Sequence, residues 1–383
     1  MKYNTRAIHG TLDEEGARET FGAVIAPIYL STTYVQPEVG KNQKYEYGRG
    51  SNPTRLSLEQ YLCAVEGSRF AFAFASGMAA TSAALALFRT GDKLLFNNNM
   101  YGGTFRYISR IFPSQGITYN IVDDFNTVDF NAVDTSVKAV FLETPSNPLL
   151  QVTDIRKAAD AAHKKDLLVI VDNTFMTSFL QRPLELGADI VVCSATKYYG
   201  GHSDLIGGFI VTNVEELALR LKVIQNTLGG VPSPQDCFLL QRSIKTMPLR
   251  LERQEANAVK IIEFLSKRKE VAKLFYPSLV SEQRRIQETQ SSGFGAVFSL
   301  ILCDGYDPKR FVAYLKLFDL AVSLGAVESL VCHPATMTHE SFTPELRAKA
   351  GITDSLLRFS VGIEDIDDLI EDLSRALAGA KRT

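Results

Sequence analysis

The segment Leu167-Leu168-Val169-Ile170-Val171-Asp172 consists of five apolar residues followed by a carboxylate. A run without polar alternation predicts a strand that is buried on both faces, which is typical of a parallel sheet. Similar short runs recur along the chain and are separated by helical patterns or turns. They are Phe70–Phe74, Lys93–Asn97, Ile117–Val122, Lys138–Glu143, Ile190–Cys193 and Gly208–Thr212. The pattern predicts an α/β protein with a mostly parallel sheet that is covered by helices on both faces.

The helical patterns and the C-terminal block complete this outline. Met78–Phe88 is apolar enough for a buried helix, and Thr153 is a candidate cap for a helix that reaches about Lys164. Beyond residue 247, two further strands are predicted over Val297–Leu302 and Leu356–Val361. One apolar face of the last helix is formed by Ile366, Leu369, Ile370, Leu373 and Leu377. We therefore expect an irregular N-terminal arm over residues 1–44, a large domain over 45–247 and a smaller α/β domain over 248–383.

The composition is that of a globular protein. The chain has 383 residues, of which 45% are hydrophobic, and its 41 basic residues nearly balance 43 acidic ones for a net charge of −2. This balance, without a long run of one sign, predicts no nucleic-acid partner. Residues 1–6 lack the apolar segment of a secretory signal, and Ser76-Gly77 interrupts the uncharged segment Phe70–Phe88, which favours a strand and a helix over a membrane span. The five cysteines and the histidines lack metal-binding spacing. We expect a cytoplasmic protein with reduced thiols, no metal and no membrane contact.

Two charged residues follow buried strands. Asp172 ends one strand, and Lys197 comes shortly after the strand Ile190–Cys193. Ligands of open α/β sheets bind at the carboxyl edge of the strands, and a desolvated lysine is a nucleophile toward a carbonyl group. An aspartate for a pyridinium nitrogen and a lysine for an aldehyde are the two groups that pyridoxal phosphate requires. The alternatives are that Asp172 only caps the following loop and that Lys197 is solvated.

A phosphate group would also need a binding site. The turn Ser76-Gly77-Met78 precedes an apolar helix, whose N-terminal N–H groups attract anions. Ser194 and Thr196 offer hydroxyl groups, and Tyr101 offers a ring that can stack on a pyridine. Each feature alone also fits an ordinary turn or loop.

The stretch Ser194-Ala195-Thr196-Lys197-Tyr198-Tyr199-Gly200-Gly201-His202-Ser203-Asp204 resembles the signature of the Cys/Met-metabolism family of pyridoxal-phosphate enzymes. Further stretches match the same family in its own order and cover almost the whole chain. They are Tyr47-Gly48-Arg49-Gly50-Ser51-Asn52-Pro53-Thr54-Arg55, Phe74-Ala75-Ser76-Gly77, Tyr101-Gly102-Gly103-Thr104, Glu143-Thr144-Pro145-Ser146-Asn147-Pro148, Val171-Asp172-Asn173-Thr174-Phe175, Ser323-Leu324-Gly325 and Arg358-Phe359-Ser360-Val361-Gly362.

The resemblance implies a fold type I, aspartate aminotransferase-like enzyme in which residues 45–247 bind the cofactor. Lys197 would hold pyridoxal 5′-phosphate as a Schiff base and later move protons, Asp172 would pair with the pyridine nitrogen, and Tyr101 would stack on the ring. The expected phosphate ligands are Gly77, Met78, Ser194 and Thr196. The α-carboxylate of the substrate would be bound by Arg358, together with Asn147 and Ser323.

The same resemblance implies a homotetramer built from two dimers. Tyr47 and Arg49 would reach the phosphate of the neighbouring subunit. The family commonly has serine where Gly48 stands, and Gly50-Ser51 inverts its next pair. A hydroxyl group near the phosphate would then be missing.

Five further positions bear on the reaction. Gly103 disfavours a methionine γ-lyase, which is expected to carry cysteine there, and Leu324 disfavours the enterobacterial type of β-lyase, which carries tryptophan. Glu46, Arg106 and Glu328 resemble the cystathionine γ-lyase and γ-synthase branch, although each could be a simple surface charge. The resemblance thus implies a cystathionine γ-lyase, with a γ-synthase or a β-lyase as alternatives. A non-catalytic cofactor-binding or regulatory protein is the alternative from another class, and no GxGxxG motif supports a dehydrogenase.

Overall fold

A computed structural model describes residues 1–10, 23–340 and 342–382. Within these residues, no helix is both long and apolar enough to cross a lipid bilayer. The predicted arm over residues 1–44 lies partly outside the described residues, at 11–22.

The helices of the structure fall in three groups along the chain. The first comprises α1 (Tyr3–His9), α2 (Pro53–Glu66), α3 (Gly77–Leu85), α4 (Gly102–Arg110) and α5 (Phe112–Gln115). The second comprises α6 (Ile155–His163), α7 (Thr177–Leu180), α8 (Glu215–Leu228), α9 (Pro234–Ile244) and α10 (Met247–Leu265). The last comprises α11 (Ser281–Gln290), α12 (Pro308–Tyr314), α13 (Pro344–Lys349) and α14 (Ile366–Gly379).

The strands form two sheets. The larger sheet contains β1 (Phe70–Phe74), β2 (Lys93–Asn97), β3 (Thr118–Val122), β4 (Val137–Glu143), β5 (Leu168–Asp172), β6 (Ile190–Cys193) and β7 (Gly208–Thr212), in the order β1-β7-β6-β5-β4-β2-β3. It is mixed and mostly parallel, with β7 antiparallel to β1 and β6. The smaller sheet contains β8 (Val271–Phe275), β9 (Val297–Leu302), β10 (Asp319–Leu320), β11 (Leu330–Cys332) and β12 (Leu356–Ser360), in the order β10-β11-β12-β9-β8.

The chain divides into two compact units. The first comprises Met1–Phe88 and Asp189–Pro248. Its helix α2 is capped by Asn52, whose side chain accepts hydrogen bonds from the N–H groups of Thr54 and Arg55. Inside the unit, the buried Gln225 side chain donates to Glu59 (2.7 Å) and to the carbonyl of Ala73 (2.9 Å). It thereby satisfies one buried acceptor on helix α2 and one on strand β1.

The second unit comprises Arg89–Ala188 and Leu249–Thr383. Four strands, β3, β2, β4 and β5, are parallel neighbours there. The middle residues of β2, β4 and β5 are buried, as the apolar runs predict, whereas β3 at the end of the sheet has no buried residue. The rings of Phe298 and Phe359 stack on neighbouring strands of the smaller sheet with centroids 4.8 Å apart. The parallel strands place Asn97, Glu143 and Asp172, the last residues of β2, β4 and β5, at one edge of the sheet.

The predicted α/β class and all nine predicted strands are confirmed, with shifts of one residue at four strand ends. The division at residues 44/45 and 247/248 stays a prediction. Three local expectations are wrong. The arm begins with helix α1, where Ala7 is buried and its carbonyl accepts a hydrogen bond from the Tyr61 hydroxyl. Helix α3 ends at Leu85 because the next residues make tighter i→i−3 hydrogen bonds.

The third correction concerns the cap of α6. Helix α6 begins at Ile155, so Thr153 lies one residue before the cap, and its N–H donates to the Thr144 hydroxyl (2.9 Å). The cap is Asp154, whose side chain accepts from the N–H of Lys157 (2.9 Å). A carboxylate at this position satisfies one of the unpaired donors of the first turn.

Candidate active site

Lys197 lies in the loop that connects β6 to β7. The loop is fixed locally, because the N–H of Lys197 donates to the carbonyl of Ser194 (3.2 Å) and its carbonyl accepts from Gly201 (2.7 Å). The next residues, Tyr198 and Tyr199, are fully buried, and the Tyr199 hydroxyl donates to Glu66. Lys197 itself is half-buried. The backbone that carries this amine is therefore held in place by buried neighbours.

The N-terminus of α3 belongs to the same unit as Lys197. The Ser76 hydroxyl caps it by accepting from Ala79 (3.0 Å), and the first intrahelical bond runs from Ala80 to Ser76 (3.1 Å). The N–H groups of Gly77 and Met78 precede that bond and carry the positive end of the helix dipole. A Cβ atom at Gly77 would lie only 2.7 Å from Cβ of Ser194. Glycine is thus required for the close approach of α3 to Ser194.

The hydroxyl of Thr196 is already used within the loop. It accepts from the N–H of Gly207 (3.0 Å) and donates to its carbonyl (3.2 Å). This pairing closes the Lys197 loop on itself. The structure therefore gives Thr196 a structural role beside its predicted role as a phosphate ligand.

The residues predicted to reach a neighbouring subunit are exposed in this chain. Tyr47 and Arg49 lie at the surface, with the guanidinium of Arg49 5.8 Å from the ring centroid of Tyr47 and hydrogen-bonded to the carbonyl of Asn226. Glu46 is exposed as well. A Cβ atom at Gly48 would make only an ordinary 3.4 Å contact with the carbonyl of Ser31, so nothing in the structure explains why glycine replaces the usual serine there.

Asp172 ends β5 in the second unit, at the position that the sequence predicts. One of its oxygens accepts from the hydroxyl (2.5 Å) and the N–H (3.0 Å) of Thr174. Asp172 therefore does cap the following loop, but with Oδ1 only. Burial raises the pKa of Asp172, while both hydrogen bonds from Thr174 act to lower it.

Tyr101 stands at the N-terminus of α4 in the same unit. Its N–H donates to Oε2 of Glu143 (2.7 Å), and its side chain remains 44% exposed. The ring thus has one face available while its backbone is fixed. On the same helix, Gly103 is buried and Arg106 is exposed.

Arg358, Asn147 and Ser323 come together as the sequence predicts. Arg358, on β12, is only 3% exposed, and its two terminal nitrogens donate to Oδ1 of Asn147 (2.8 Å) and to the carbonyl of Ser323 (2.7 Å). Its Nε atom is buried and has no hydrogen-bond partner in the described part of the chain. Ser323 has a φ of 97°, a strained backbone that turns its carbonyl toward the arginine. The fork is therefore oriented before any ligand binds and keeps donors for a carboxylate.

Two buried residues near these groups were not predicted from the sequence. Glu143 is 4% exposed, and burial together with the neighbouring charge of Asp172 raises its pKa well above the ordinary range. His339 is fully buried, and burial together with the charge of Arg358 lowers its pKa to about 4, so its ring is neutral at neutral pH. A carboxylate ending an apolar strand was a usable signal for Glu143, since the same pattern singled out Asp172. No comparable signal marks His339.

The two remaining positions that the sequence analysis singled out differ in their exposure. Leu324 is buried next to Ser323, whereas Glu328 is exposed. Glu328 therefore lies at the surface, and the apolar Leu324 stands where the enterobacterial type of β-lyase is expected to carry tryptophan.

Comparison with known proteins identifies the class of this molecule. A family model described as "Cys/Met metabolism PLP-dependent enzyme" matches residues 4–378. The protein is therefore an enzyme that depends on pyridoxal 5′-phosphate, and the chain belongs to the Cys/Met-metabolism family.

Relatives that are named for different activities resemble the chain over nearly its full length. A cystathionine beta-lyase of Lactococcus lactis subsp. cremoris is 47% identical over 375 residues, which cover 97% of this chain and 98% of the relative. A cystathionine gamma-lyase of Bacillus subtilis (strain 168) is 46% identical over 379 residues, which cover 98% and 99%. The crystal structure of a cystathionine gamma-lyase from Lactobacillus plantarum, complexed with L-serine, has a TM-score of 0.95 at 42% identity and covers 99% of both chains. The protein is thus a family member with the fold of type I enzymes and lyase chemistry.

The residues present fit the cofactor. In the first unit, the N–H groups at the start of α3, next to a Gly77 that no larger residue could replace, suit a phosphate group. In the second unit, the second oxygen of Asp172 suits a ring nitrogen, and the exposed ring of Tyr101 suits stacking on a pyridine. Each unit by itself therefore offers the groups that one part of pyridoxal phosphate requires.

Proposed function

We propose that the protein is a cystathionine γ-lyase, which cleaves the Cγ–S bond of cystathionine and releases cysteine, 2-oxobutyrate and ammonia. The observation that carries the proposal is the buried guanidinium of Arg358. Its contacts with Asn147 and Ser323 fix the fork, while Nε remains for the α-carboxylate of an amino acid. A planar, bidentate donor of this kind selects a carboxylate by geometry as well as by charge.

The other residues act on defined atoms of the substrate and cofactor. When bound, pyridoxal phosphate supplies an electron-withdrawing ring that acidifies the α-carbon of the attached amino acid. Gly77, Met78, Ser194 and Thr196 would hold the phosphate, and Asp172 would accept a hydrogen bond from the ring nitrogen. The amine of Lys197 removes the proton from Cα. A proton is then removed from Cβ, the Cγ–S bond breaks, and the hydroxyl of Tyr101 donates a proton to the leaving sulfur atom. Hydrolysis by water releases 2-oxobutyrate and ammonia.

Cleavage at the γ-carbon is favoured by the residues that would meet the distal end of cystathionine. That end carries an ammonium and a carboxylate group, and Glu46, Arg106 and Glu328 are exposed charges that could pair with them. Leu324 occupies the position of the tryptophan that the enterobacterial type of β-lyase is expected to carry. The proposal therefore assigns distal recognition to charge pairing.

A cystathionine β-lyase is the second candidate. The 47% identity with the Lactococcus protein of that name supports it. The β-reaction begins with removal of the same Cα proton and breaks the Cβ–S bond, giving homocysteine, pyruvate and ammonia. The γ-synthase, which joins an acylated homoserine to cysteine, shares the same early proton transfers.

The proposal includes a cellular location and an oligomeric state for this enzyme. We place it in the cytoplasm, as a homotetramer of two dimers in which Tyr47 and Arg49 reach the phosphate of the neighbouring subunit. Their exposure in the single chain supports this role.

Product analysis tests the proposed reaction. Purified enzyme is incubated with cystathionine, and the thiol and keto-acid products are identified by mass spectrometry. We expect cysteine and 2-oxobutyrate in equal amounts. Homocysteine with pyruvate would instead establish the β-lyase. Turnover of an acylated homoserine with cysteine, and no cleavage of cystathionine, would establish the synthase.

A further inference from the structure

Glu143 has no role in the reaction described above, yet it lies among the residues that do. It is the last residue of β4 and is only 4% exposed. The register of the parallel strands pairs Glu143 with Asp172. Residues paired in this way project from the same face of a sheet, so the two carboxyl groups are neighbours.

The position of Glu143 is fixed at both its side chain and its backbone. Oε2 accepts a hydrogen bond from the N–H of Tyr101 (2.7 Å), and the N–H of Glu143 donates to Oδ1 of Asn97 (2.7 Å). Asn97 ends β2, the neighbour of β4. The side chain therefore connects the backbone that carries the Tyr101 ring to the edge of the sheet that carries Asp172.

The electrostatic surroundings favour a neutral Glu143. Burial and the charge of Asp172 raise its pKa well above the ordinary range, and the N–H groups of Tyr101 and Asn147 and the charge of Arg358 offset this effect only in part. His339 adds no charge near Arg358 at neutral pH, because its pKa is lowered to about 4. Two adjacent desolvated carboxyl groups do not both ionise readily, and the hydrogen bonds from Thr174 stabilise the charge on Asp172.

We propose that Glu143 is a positioning residue whose uncharged carboxyl group fixes the backbone at Tyr101 and leaves Asp172 as the single negative charge for the cofactor ring. The inference rests on the roles that the proposed function gives to Tyr101 and Asp172. It extends that function by one residue, which touches neither the reacting atoms nor the substrate. It holds equally for γ-cleavage, β-cleavage and the synthase reaction, because all three use the same cofactor.

Two variants separate the role of Glu143 as a hydrogen-bond acceptor from the role of its protonation state. Glu143→Gln keeps a carbonyl oxygen for the N–H of Tyr101 and is always neutral, whereas Glu143→Met has a similar size and no acceptor. The readout is the rate at which each purified, full-length holoenzyme loses the visible absorbance of its cofactor on dilution. We expect Glu143→Gln to stay within about threefold of the native rate, and Glu143→Met to lose cofactor about tenfold faster, as expected for the loss of one buried hydrogen bond.

The pH dependence provides an independent readout. Cofactor loss from Glu143→Gln should follow the native pH profile around neutral pH, because burial and the charge of Asp172 raise the pKa of the native carboxyl group well above its ordinary range. A shifted profile, or a Glu143→Gln variant as defective as Glu143→Met, would show that the native carboxyl group is ionised and overturn the proposal. Unchanged cofactor retention in a folded Glu143→Met variant would overturn it as well. If Glu143→Met does not fold, the rate and the pH profile of Glu143→Gln alone decide.

A matched control removes a similar interaction elsewhere in the same unit. Glu255 also accepts a backbone hydrogen bond, from Phe294 (2.6 Å), and burial raises its pKa too. Glu255→Met should lower the melting temperature without changing cofactor loss. Equal cofactor loss from Glu255→Met and Glu143→Met would reduce the effect of Glu143 to general destabilisation and contradict the positioning role. Because cofactor retention is measured without substrate, a wrong assignment of the cleaved bond would leave this comparison intact.

Discussion

Arg358 is oriented by its own protein before a substrate binds. Asn147 and the strained carbonyl of Ser323 each accept one of its hydrogen bonds, so little side-chain freedom remains to be lost on binding. Preorganised donors of this kind contribute most when they stay in a fixed geometry through the reaction. For substrate binding, the planar guanidinium of Arg358 should therefore matter more than its positive charge.

Replacing Arg358 by lysine tests this view. Arg358→Lys keeps the positive charge but loses the planar fork, so we expect KM for cystathionine to rise about tenfold or more, as is typical for loss of a hydrogen bond to a charged group. Steady-state kinetics measure the change, and cofactor absorbance should be unaffected. Arg284→Lys, which alters an exposed ion pair with Glu288, is the matched control and should leave KM unchanged. An unaltered KM in Arg358→Lys would remove Arg358 from substrate binding.

Among individual residues, the sequence predicted those that follow a recognisable local pattern. Asp172 was found because an isolated carboxylate ends an apolar strand, and the structure confirms its position. Glu143 shows the same pattern, but its contact with Tyr101 depends on the return of the chain to the sheet edge. His339 was missed because its burial depends on packing that no local pattern encodes. The cap of α6 was misplaced by one residue, since Thr153 pairs with Thr144 across the fold.

Among the elements, α3 combines two functions at its first residue. Its N-terminus has N–H groups that suit an anion, as proposed for the phosphate, and the absence of a side chain at Gly77 lets Ser194 approach. The adjoining strand β7 starts with Gly208, where a Cβ atom would collide with the Ser76 carbonyl. A helix, a strand and a loop therefore meet at distances that only glycine permits.

A single methyl group at Gly77 should disturb this arrangement. In Gly77→Ala, the new Cβ atom would lie 2.7 Å from that of Ser194, so the loop or the helix must shift. We expect cofactor loss to become about tenfold faster, because the phosphate would lose an aligned set of donors. Gly230→Ala is the control, since its Cβ atom would make an ordinary 3.4 Å contact with Ala79. Equal cofactor retention in both variants would remove the start of α3 from phosphate binding.

The elements that could be predicted are those with strong periodicity. Strands β1, β2, β6, β7 and β9 have the predicted bounds, because each apolar run is flanked by polar residues, glycine or turns. Strand β8 alternates poorly and is largely exposed, while β10 and β11 are too short to show a period. Helix α1 depends on the contact between Ala7 and Tyr61 rather than on its own sequence. Tertiary contacts, not local propensity, determine these elements.

The whole molecule matches relatives end to end, so its fold and its cofactor are those of the family. The relatives are named for different reactions: some names give cleavage of the β-carbon–sulfur bond and others cleavage of the γ-carbon–sulfur bond. This difference does not depend on the fold, because one arrangement of strands supports every reaction of the family. The charged residues at the distal end of the substrate, rather than the sheet, should therefore decide the reaction.

The central claim for the whole molecule is that Lys197 binds the cofactor covalently. The most direct test is reduction of the yellow holoenzyme with borohydride, followed by proteolysis and mass spectrometry of the labelled peptide. We predict that the pyridoxyl label is found on the peptide containing Lys197, and that a Lys197→Ala variant, otherwise folded, acquires no label there. A label on another lysine, or equal labelling of the Lys197→Ala variant, would contradict the claim.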